Sequence, residues 1–265
     1  MSVRVMGIVN ATPDSFSDGG LFLDPDAGLD HALRLVAQGA DILDIGGESS
    51  RPGAEPVSQP DEIARVVPLI TQVRARTSVP ISIDTVKPAV ARAAALAGAS
   101  IWNDIAALTA PGATETAAEL GCEVILMHMQ GEPRTMQAAP QYEDVVAEVC
   151  AFLLARADAA MAAGVARGRI WLDPGIGFGK TLEHNLALLG GLDEVVALGF
   201  PVLLGASRKS FLAKLDPAAK APAHRLGGSL AAALAGASAG VTAVRVHDVA
   251  ETVQALRVWE AVAGR

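Results

Sequence analysis

Eight short apolar runs in this sequence each end on a group that can hydrogen bond or carry charge. In chain order the endings are Asn10, Asp44 with Gly46-Gly47-Glu48, Asp84, Asn103-Asp104, His128, Asp173, Gly205 with Ser207-Arg208-Lys209, and Arg245 with His247. A single Asn or Asp in such a place can cap the helix that follows. A whole series of them points to convergence on one ligand. Asp84 and Asp173, with Asn103 between them in the chain, would bring two carboxylates and an amide together. Paired acids suit glycosidase or other acid–base chemistry. They equally suit a ligand edge with adjacent N–H donors, because an ionised carboxylate only accepts. Lys209 and Arg245 leave no acid pair isolated from cations. Asn10, Arg51, Arg245 and His247 make a second set, of the donor types that surround a phosphate-like anion. In Arg245-Val246-His247 the outer two side chains share one face of a strand.

The elements that position these groups follow from periodicity. Runs rich in Val and Ile at 3–9, 41–45, 81–83, 100–102, 123–127, 170–172, 201–204 and 242–246 read as buried parallel strands. Helical patterns at 27–38, 61–76, 88–97, 142–163, 182–198, 226–239 and 249–263 lie between or after them. About eight strand-then-helix units over roughly 250 residues predict an α/β chain folded as a single (β/α)8 TIM barrel, its site at the C-terminal strand ends. An open Rossmann sheet would want a glycine-rich turn after the first strand. Asn10-Ala11-Thr12-Pro13 stands there instead. Two stretches, 10–24 and 46–60, have neither period and carry Phe16, Ser50 and Arg51, which suggests lids over the site.

Composition narrows the partners. The 265 residues are 51% hydrophobic and 19% charged, too apolar for a disordered chain. With 21 Lys+Arg against 29 Asp+Glu the formal charge is −8, and no stretch supplies the basic face that nucleic-acid binding needs. An anionic ligand must be met by a local pocket. Cys122 and Cys150 are too few for a disulfide framework and read as buried thiols of a cytoplasmic protein. The start of the chain lacks the apolar core of a signal peptide. The uncharged stretch 226–244 is long enough to span a bilayer. Its Ala, Gly and Ser content reads instead as a buried helix running into a strand. No composition break marks a second domain, so 1–265 reads as one.

The motifs carry a resemblance. Met6-Gly7-Ile8-Val9-Asn10-Ala11-Thr12-Pro13-Asp14-Ser15-Phe16, Asp44-Ile45-Gly46-Gly47-Glu48-Ser49-Ser50-Arg51-Pro52-Gly53 and Ser82-Ile83-Asp84-Thr85 resemble the bacterial dihydropteroate synthases. So do Trp102-Asn103-Asp104-Ile105, Met127-His128-Met129-Gln130-Gly131, Asp173-Pro174-Gly175-Ile176-Gly177-Phe178-Gly179-Lys180, Gly205-Ala206-Ser207-Arg208-Lys209-Ser210-Phe211 and Arg245-Val246-His247-Asp248. The likeness runs in unbroken order from residue 3 to about residue 260. It implies a TIM barrel that joins 6-hydroxymethyl-7,8-dihydropterin pyrophosphate to 4-aminobenzoate in folate biosynthesis, as a cytoplasmic homodimer.

The resemblance also implies roles. Asp84, Asn103, Met127, Asp173, Phe178, Gly205 and Lys209 would hold the pterin. Asn10, Ser50, Arg51, Arg245 and His247 would take the pyrophosphate, with Mg²⁺ on the Asn10 amide. Phe16, Arg51, Pro52, Lys209 and Ser210 would receive 4-aminobenzoate and its sulfonamide competitors. Asp84, Lys209, Arg245 and His247 would be catalytic. Arg245→Ala is expected to weaken binding of the pyrophosphate ester while sparing free pterin. Departures from the family pattern are small: Ala11 and Ser50 replace larger residues, and Trp102 stands where a smaller residue is usual, on a strand beside the pterin site. A methyltetrahydrofolate-binding methyltransferase domain would share the Asp/Asn grip but have no use for Ser207-Arg208-Lys209-Ser210. A silent pterin-binding paralogue would be expected to lose Arg51, Lys209, Arg245 or His247, and all four are present.

Overall fold

Successive strand side chains point to opposite faces, so a strand buried on both sides needs two sets of apolar partners. A computed structural model describing residues 2–11, 25–49 and 55–264 shows how this chain supplies them. In order come β1 (Arg4–Asn10), α1 (Pro25–Ala37), β2 (Ile42–Gly46), α2 (Gln59–Arg76), β3 (Ile81–Asp84), α3 (Pro88–Ala97), β4 (Ile101–Asp104), α4 (Ala113–Leu120) and β5 (Glu123–Met127). There follow α5 (Val145–Ala162), β6 (Ile170–Asp173), α6 (Leu182–Gly190), α7 (Leu192–Ala197), β7 (Leu203–Leu204), α8 (Ser210–Leu215), α9 (Leu226–Ala239), β8 (Ala243–Val246) and α10 (Val249–Ala263).

All ladders are parallel, in the order β6-β5-β4-β3-β2-β1-β8-β7. The two ends meet in one bridge, Leu172 to Val202, where the Leu172 amide donates to the Pro201 carbonyl at 2.9 Å. The eight strands therefore close into the expected barrel.

One parity of each strand faces inward. Met6, Ile42, Ile101, Ile125, Trp171, Leu203 and Ala243 form a separate apolar cluster, drawn from every strand but β3. Two residues further along the same strands stand Ile8, Asp44, Asn103, Met127, Asp173, Gly205 and Arg245. On β2, β4, β6 and β8 the interior thus changes from hydrocarbon to polar groups within one pleat, toward the C-terminal mouth. The other parity, including Val9, Leu43, Ile83, Leu126, Leu172 and Val244, joins the helices in the main core. Trp102 belongs to this outer set, fully buried, with its indole N–H donating to the Thr85 carbonyl at 2.8 Å. Its bulk is absorbed under the helices rather than in the interior layer where the resemblance would put the pterin.

Several boundaries differ from the sequence reading. The 182–198 helix is divided at Gly191, and the 142–163 helix starts only at Val145, where Asp144 accepts from the Val146 and Ala147 amides. The short helices α4 and α8 were not expected; α4 has glycine at both caps and no side-chain cap to announce it. The 226–244 stretch is a helix followed by a strand, as read, and among the described residues no helix is long and apolar enough to cross a membrane.

Leu203 is fully buried inside the barrel on the shortest strand. Leu203→Ala is expected to cost about 2–5 kcal/mol, measured from urea unfolding; a loss below about 1 kcal/mol would contradict the interior packing.

Candidate active site

Arg245 rises from β8 into the polar layer and is gripped by two acids. Its Nε donates to Asp44 Oδ2 at 2.5 Å and an η-nitrogen donates to Asp84 Oδ2 at 2.7 Å. Asn103 Nδ2 also donates to Asp44 Oδ2, at 3.3 Å. Asp44 is fully buried, and a buried carboxylate left without a cation would be strongly destabilising. The guanidinium therefore serves the barrel as well as any ligand, and this changes the expectation for Arg245→Ala. Its removal strands two acids beside Asn103, so free pterin should lose affinity too. Burial pushes the Asp84 carboxyl up to about 7, against the pull of Arg245 and with help from Asp44, Glu62 and Asp104.

Asp173 ends β6 and receives the Gly175 amide on Oδ1 at 2.7 Å, leaving Oδ2 toward the barrel mouth, where a Cβ on Gly205 would stand 3.6 Å from it. Lys209 lies with Nζ 3.8 Å from the centroid of the Phe178 ring, a cation–π contact. Phe178 shares an apolar cluster with Met127 and Met136. Burial lowers the Lys209 ammonium to about 8, Arg245 adding to the effect and Asp173 and Asp84 opposing it. These residues make a slot with acceptors at one end, a cation at its side and an apolar wall.

His247 follows β8, and its Nδ1 is 3.0 Å from the Ser207 hydroxyl. Burial, then Arg245 and Arg208, bring the ring down to about 3, so it is neutral at pH 7. Arg208 adopts a left-handed backbone (φ 56) and makes a two-pronged pair with Asp248, which fixes the turn that presents Lys209. Asn10 ends β1, half-buried beside Gly46 in the ladder. Ser210 is exposed at the start of α8. Phe16, Ser50, Arg51 and Pro52 lie outside the described residues. The chain leading to that second segment is anchored by Arg65 Nη1, which donates to the Gly47 carbonyl at 2.9 Å, and by Lys87, which pairs with both Glu48 and Glu62.

The structure thus brings together Asp84, Asn103, Asp173, Lys209, Arg245, Met127, Phe178 and Gly205 of the expected residues. It adds three whose roles were not assigned from sequence. Asp44 was noted only as a strand-end acid, and His128 only as a strand-end histidine. Lys180, quoted in a motif, turns out to be 1% exposed. The signal available was parity: Asp44 stands two residues after an interior isoleucine, as do Asn103 and Met127.

Burial, together with Lys180, takes His128 from an ordinary 6.5 to about 3. Folding therefore holds it neutral, and this contribution to stability is complete above about pH 6.5 and lost as pH falls toward 3. The urea midpoint should decline across that window, and His128→Gln should flatten the decline; an unchanged slope would contradict the burial. Arg245→Gln should raise Asp84 above about 7, because the guanidinium is the main influence opposing desolvation. Carboxyl titration by NMR checks the direction.

The family model described as pterin binding enzyme matches residues 6–247. The dihydropteroate synthase of Escherichia coli strain K12 is 50% identical over 258 residues, 97% of this chain and 91% of the relative. That of Neisseria meningitidis serogroup B is 52% identical over 265 residues, 98% of this chain and 92% of the relative. Among solved structures, Xanthomonas albilineans dihydropteroate synthase with 4-aminobenzoic acid superposes with a TM-score of 0.94 at 50% identity, covering 100% of this chain and 94% of that one. The same enzyme in complex with 7,8-dihydropteroate gives 0.91 at 48%, covering 100% and 95%. The Yersinia pestis enzyme with a sulfonamide drug gives 0.94 at 46%, also covering 100% and 95%. Sequence and fold agree over nearly the whole length, and the chain belongs to the pterin-binding enzyme family, among the dihydropteroate synthases.

Proposed function

We propose that this chain is a transferase of folate biosynthesis that condenses 6-hydroxymethyl-7,8-dihydropterin pyrophosphate with 4-aminobenzoate to give 7,8-dihydropteroate and pyrophosphate. The observation that carries the reading is the convergence of Asp173, Asn103, Asp84, Lys209 and Arg245 at the barrel mouth, in a fold superposing on relatives that hold 4-aminobenzoic acid and 7,8-dihydropteroate. The aminopyrimidinone edge of a pterin offers adjacent N–H groups. Asp173 and Asn103 supply acceptors there, buried enough that each bond counts. Phe178 and Met127 cover an apolar ring face.

In the reaction the bond between the pterin methylene and the pyrophosphate oxygen breaks, its electrons leaving with pyrophosphate. The arylamine nitrogen supplies the pair for the new C–N bond and then loses a proton. Positive charge grows on the methylene and negative charge on the leaving oxygens. Asp84 stands on the side of the developing cation, and the unused N–H groups of Arg245, with His247, stand on the side of the anion. Both are positioned before the reaction begins, Arg245 by its carboxylate pairs and His247 by Ser207. Lys209, lowered to about 8 by burial, is held over Phe178 between pterin and 4-aminobenzoate. Phe16, Arg51, Pro52 and Ser210 complete the 4-aminobenzoate site, and Ser50 and Arg51 the pyrophosphate site.

Asn10 offers one hard carboxamide oxygen, and no group of three or more metal-ligating acids, histidines or cysteines occurs among the described residues. That donor set fits Mg²⁺, which takes most of its ligands from phosphate oxygens and water. Bound there, Mg²⁺ would offset charge on the departing pyrophosphate. The proposal includes a single domain over 1–265, a cytoplasmic setting consistent with free Cys122 and Cys150, and a homodimer through the C-terminal helices, where Val258 and Val262 of α10 are exposed.

Pyrophosphate release is expected only when both substrates and Mg²⁺ are present; release with the pterin substrate alone would indicate hydrolysis and overturn the reading. Asp173→Asn should weaken free pterin and the pyrophosphate ester alike, by roughly 10- to 150-fold, as expected for losing a charge-assisted hydrogen bond. Isothermal titration with both ligands checks it. Sulfamethoxazole should inhibit competitively against 4-aminobenzoate, and a normal rate in saturating drug would refute that.

A further inference from the structure

Lys180 is among the most deeply buried charged side chains of the protein, 1% exposed, and the proposed reaction makes no use of it. Its Nζ is 2.9 Å from His128 Nδ1, 2.9 Å from the Gly175 carbonyl and 3.0 Å from the Phe178 carbonyl, with the His128 carbonyl further off at 3.4 Å. An ammonium has three N–H donors and no acceptor, and here each donor has a close partner. A neutral amine would leave one acceptor unserved and turn a lone pair toward it. His128 is the matching half of the arrangement, because its Nδ1 can accept only from the neutral ring with the proton on Nε2, and burial keeps that ring neutral.

What this ammonium holds is the turn after β6. That turn lies hard against the segment after β5: a Cβ on Gly175 would fall 1.9 Å from the His128 carbonyl oxygen, and one on Gly179 would fall 2.3 Å from the Gln130 carbonyl oxygen. Other bonds fix several more of its polar groups. Asp173 takes the Gly175 amide, Asn185 the Gly177 amide at 2.6 Å, Gln137 donates to the Gly177 carbonyl at 2.8 Å and Tyr142 to the Gly179 carbonyl at 2.8 Å. The Gly175 and Phe178 carbonyls bond to Lys180. The turn in turn carries Phe178, over which Lys209 lies, and a Cβ on Gly177 would stand 3.0 Å from Lys209 Cδ.

We propose that Lys180 is a positioning residue of the pterin site: its ammonium fastens the 174–179 turn to the end of β5, placing Phe178 and Lys209, and adds a third positive charge, after those of Lys209 and Arg245, to the surroundings of Asp173. The proposal rests on reading this mouth as a pterin site. The charged groups that bear on it are Asp173 from β6, Lys209 after β7, Arg245 from β8 and neutral His128 after β5. Burial raises Asp173, while the Gly175 amide, Lys209, Arg245 and Lys180 pull it down. Burial lowers Lys180 to about 7, with Asp173 opposing and Lys209 adding to the effect.

The test is a steady-state comparison of the full chain with Lys180→Met, Lys180→Gln and His128→Gln, measuring KM for each substrate and the pH dependence of free pterin affinity. Lys180→Met should raise KM for the dihydropterin pyrophosphate by roughly 10- to 100-fold, the loss of charge-assisted bonds, and raise KM for 4-aminobenzoate less, because of that site only Lys209 leans on the turn. Its acid limb of pterin affinity should move to higher pH, because Asp173 protonates more readily without the cation. Lys180→Gln keeps two donors without the charge, so the acid limb should move while the KM change is smaller. His128→Gln keeps an acceptor for the ammonium and should leave the limb in place. An unmoved acid limb in Lys180→Gln overturns the proposal even if Lys180→Met fails to fold. So does a lowered melting temperature in Lys180→Met with both KM values unchanged. Pyrophosphate release by the unaltered chain tests the pterin reading separately.

Discussion

Carboxylates taken out of water must be matched by cations or protons, and the mouth of this barrel is built around that demand. Asp44, Asp84 and Asp173 enter the interior from three strands; Arg245, Lys209 and Lys180 meet them from β8 and from the turns after β7 and β6. The match is local. Arg245 spans Asp44 and Asp84, while Lys180 and Lys209 flank Asp173. Asp84, with only a shared guanidinium against several acids, is pushed up to about 7. An anionic substrate therefore meets cations that already have partners, and a cationic methylene meets an acid of adjustable charge. Electrostatic preorganisation of this kind costs nothing at the moment of reaction.

The strand pleat makes the arrangement possible. Two residues separate the hydrocarbon floor from Asp44, Asn103 and Asp173 on β2, β4 and β6, so these side chains need not be long to reach the mouth. Asp and Asn suffice, and short side chains lose little freedom when fixed. The longer cations come from positions where their stems have something to lie on: Lys209 against Phe178 and Gly177, and Lys180 beneath the turn it holds.

Much of this could be read before any coordinates. The strands were legible because β-branched runs recur at barrel spacing, and the polar endings were legible because they break those runs abruptly. Asp84, Asn103, Asp173, Lys209 and Arg245 emerged in that way. The short helices α4 and α8 were not legible, since α4 begins and ends on glycine with no side-chain cap and six residues of α8 leave no period to detect. Arg245 was read as an anion donor and as a cation near the acid pair, but its grip on Asp44 was not legible because Asp44 is 201 residues away in sequence. Lys180 was hidden for a different reason: a lysine after a glycine-rich turn looks like a surface residue, and only the close approach of two turns reveals the carbonyls waiting for it. Trp102 misled through its neighbour, because one step along a strand reverses the face.

The barrel is joined all round by ladders of two to five paired positions, except between β6 and β7, where one bridge at Leu172 and Val202 completes the circle. It behaves as a hoop with a clasp. Asp173 stands on one side of the clasp, and the segment from Gly205 to Lys209 on the other. A bicyclic ligand held at once by Asp173 and Lys209 would lie across it like a rivet, lending cohesion where the backbone has least. Filling the mouth would thus reinforce the hoop at its narrowest join.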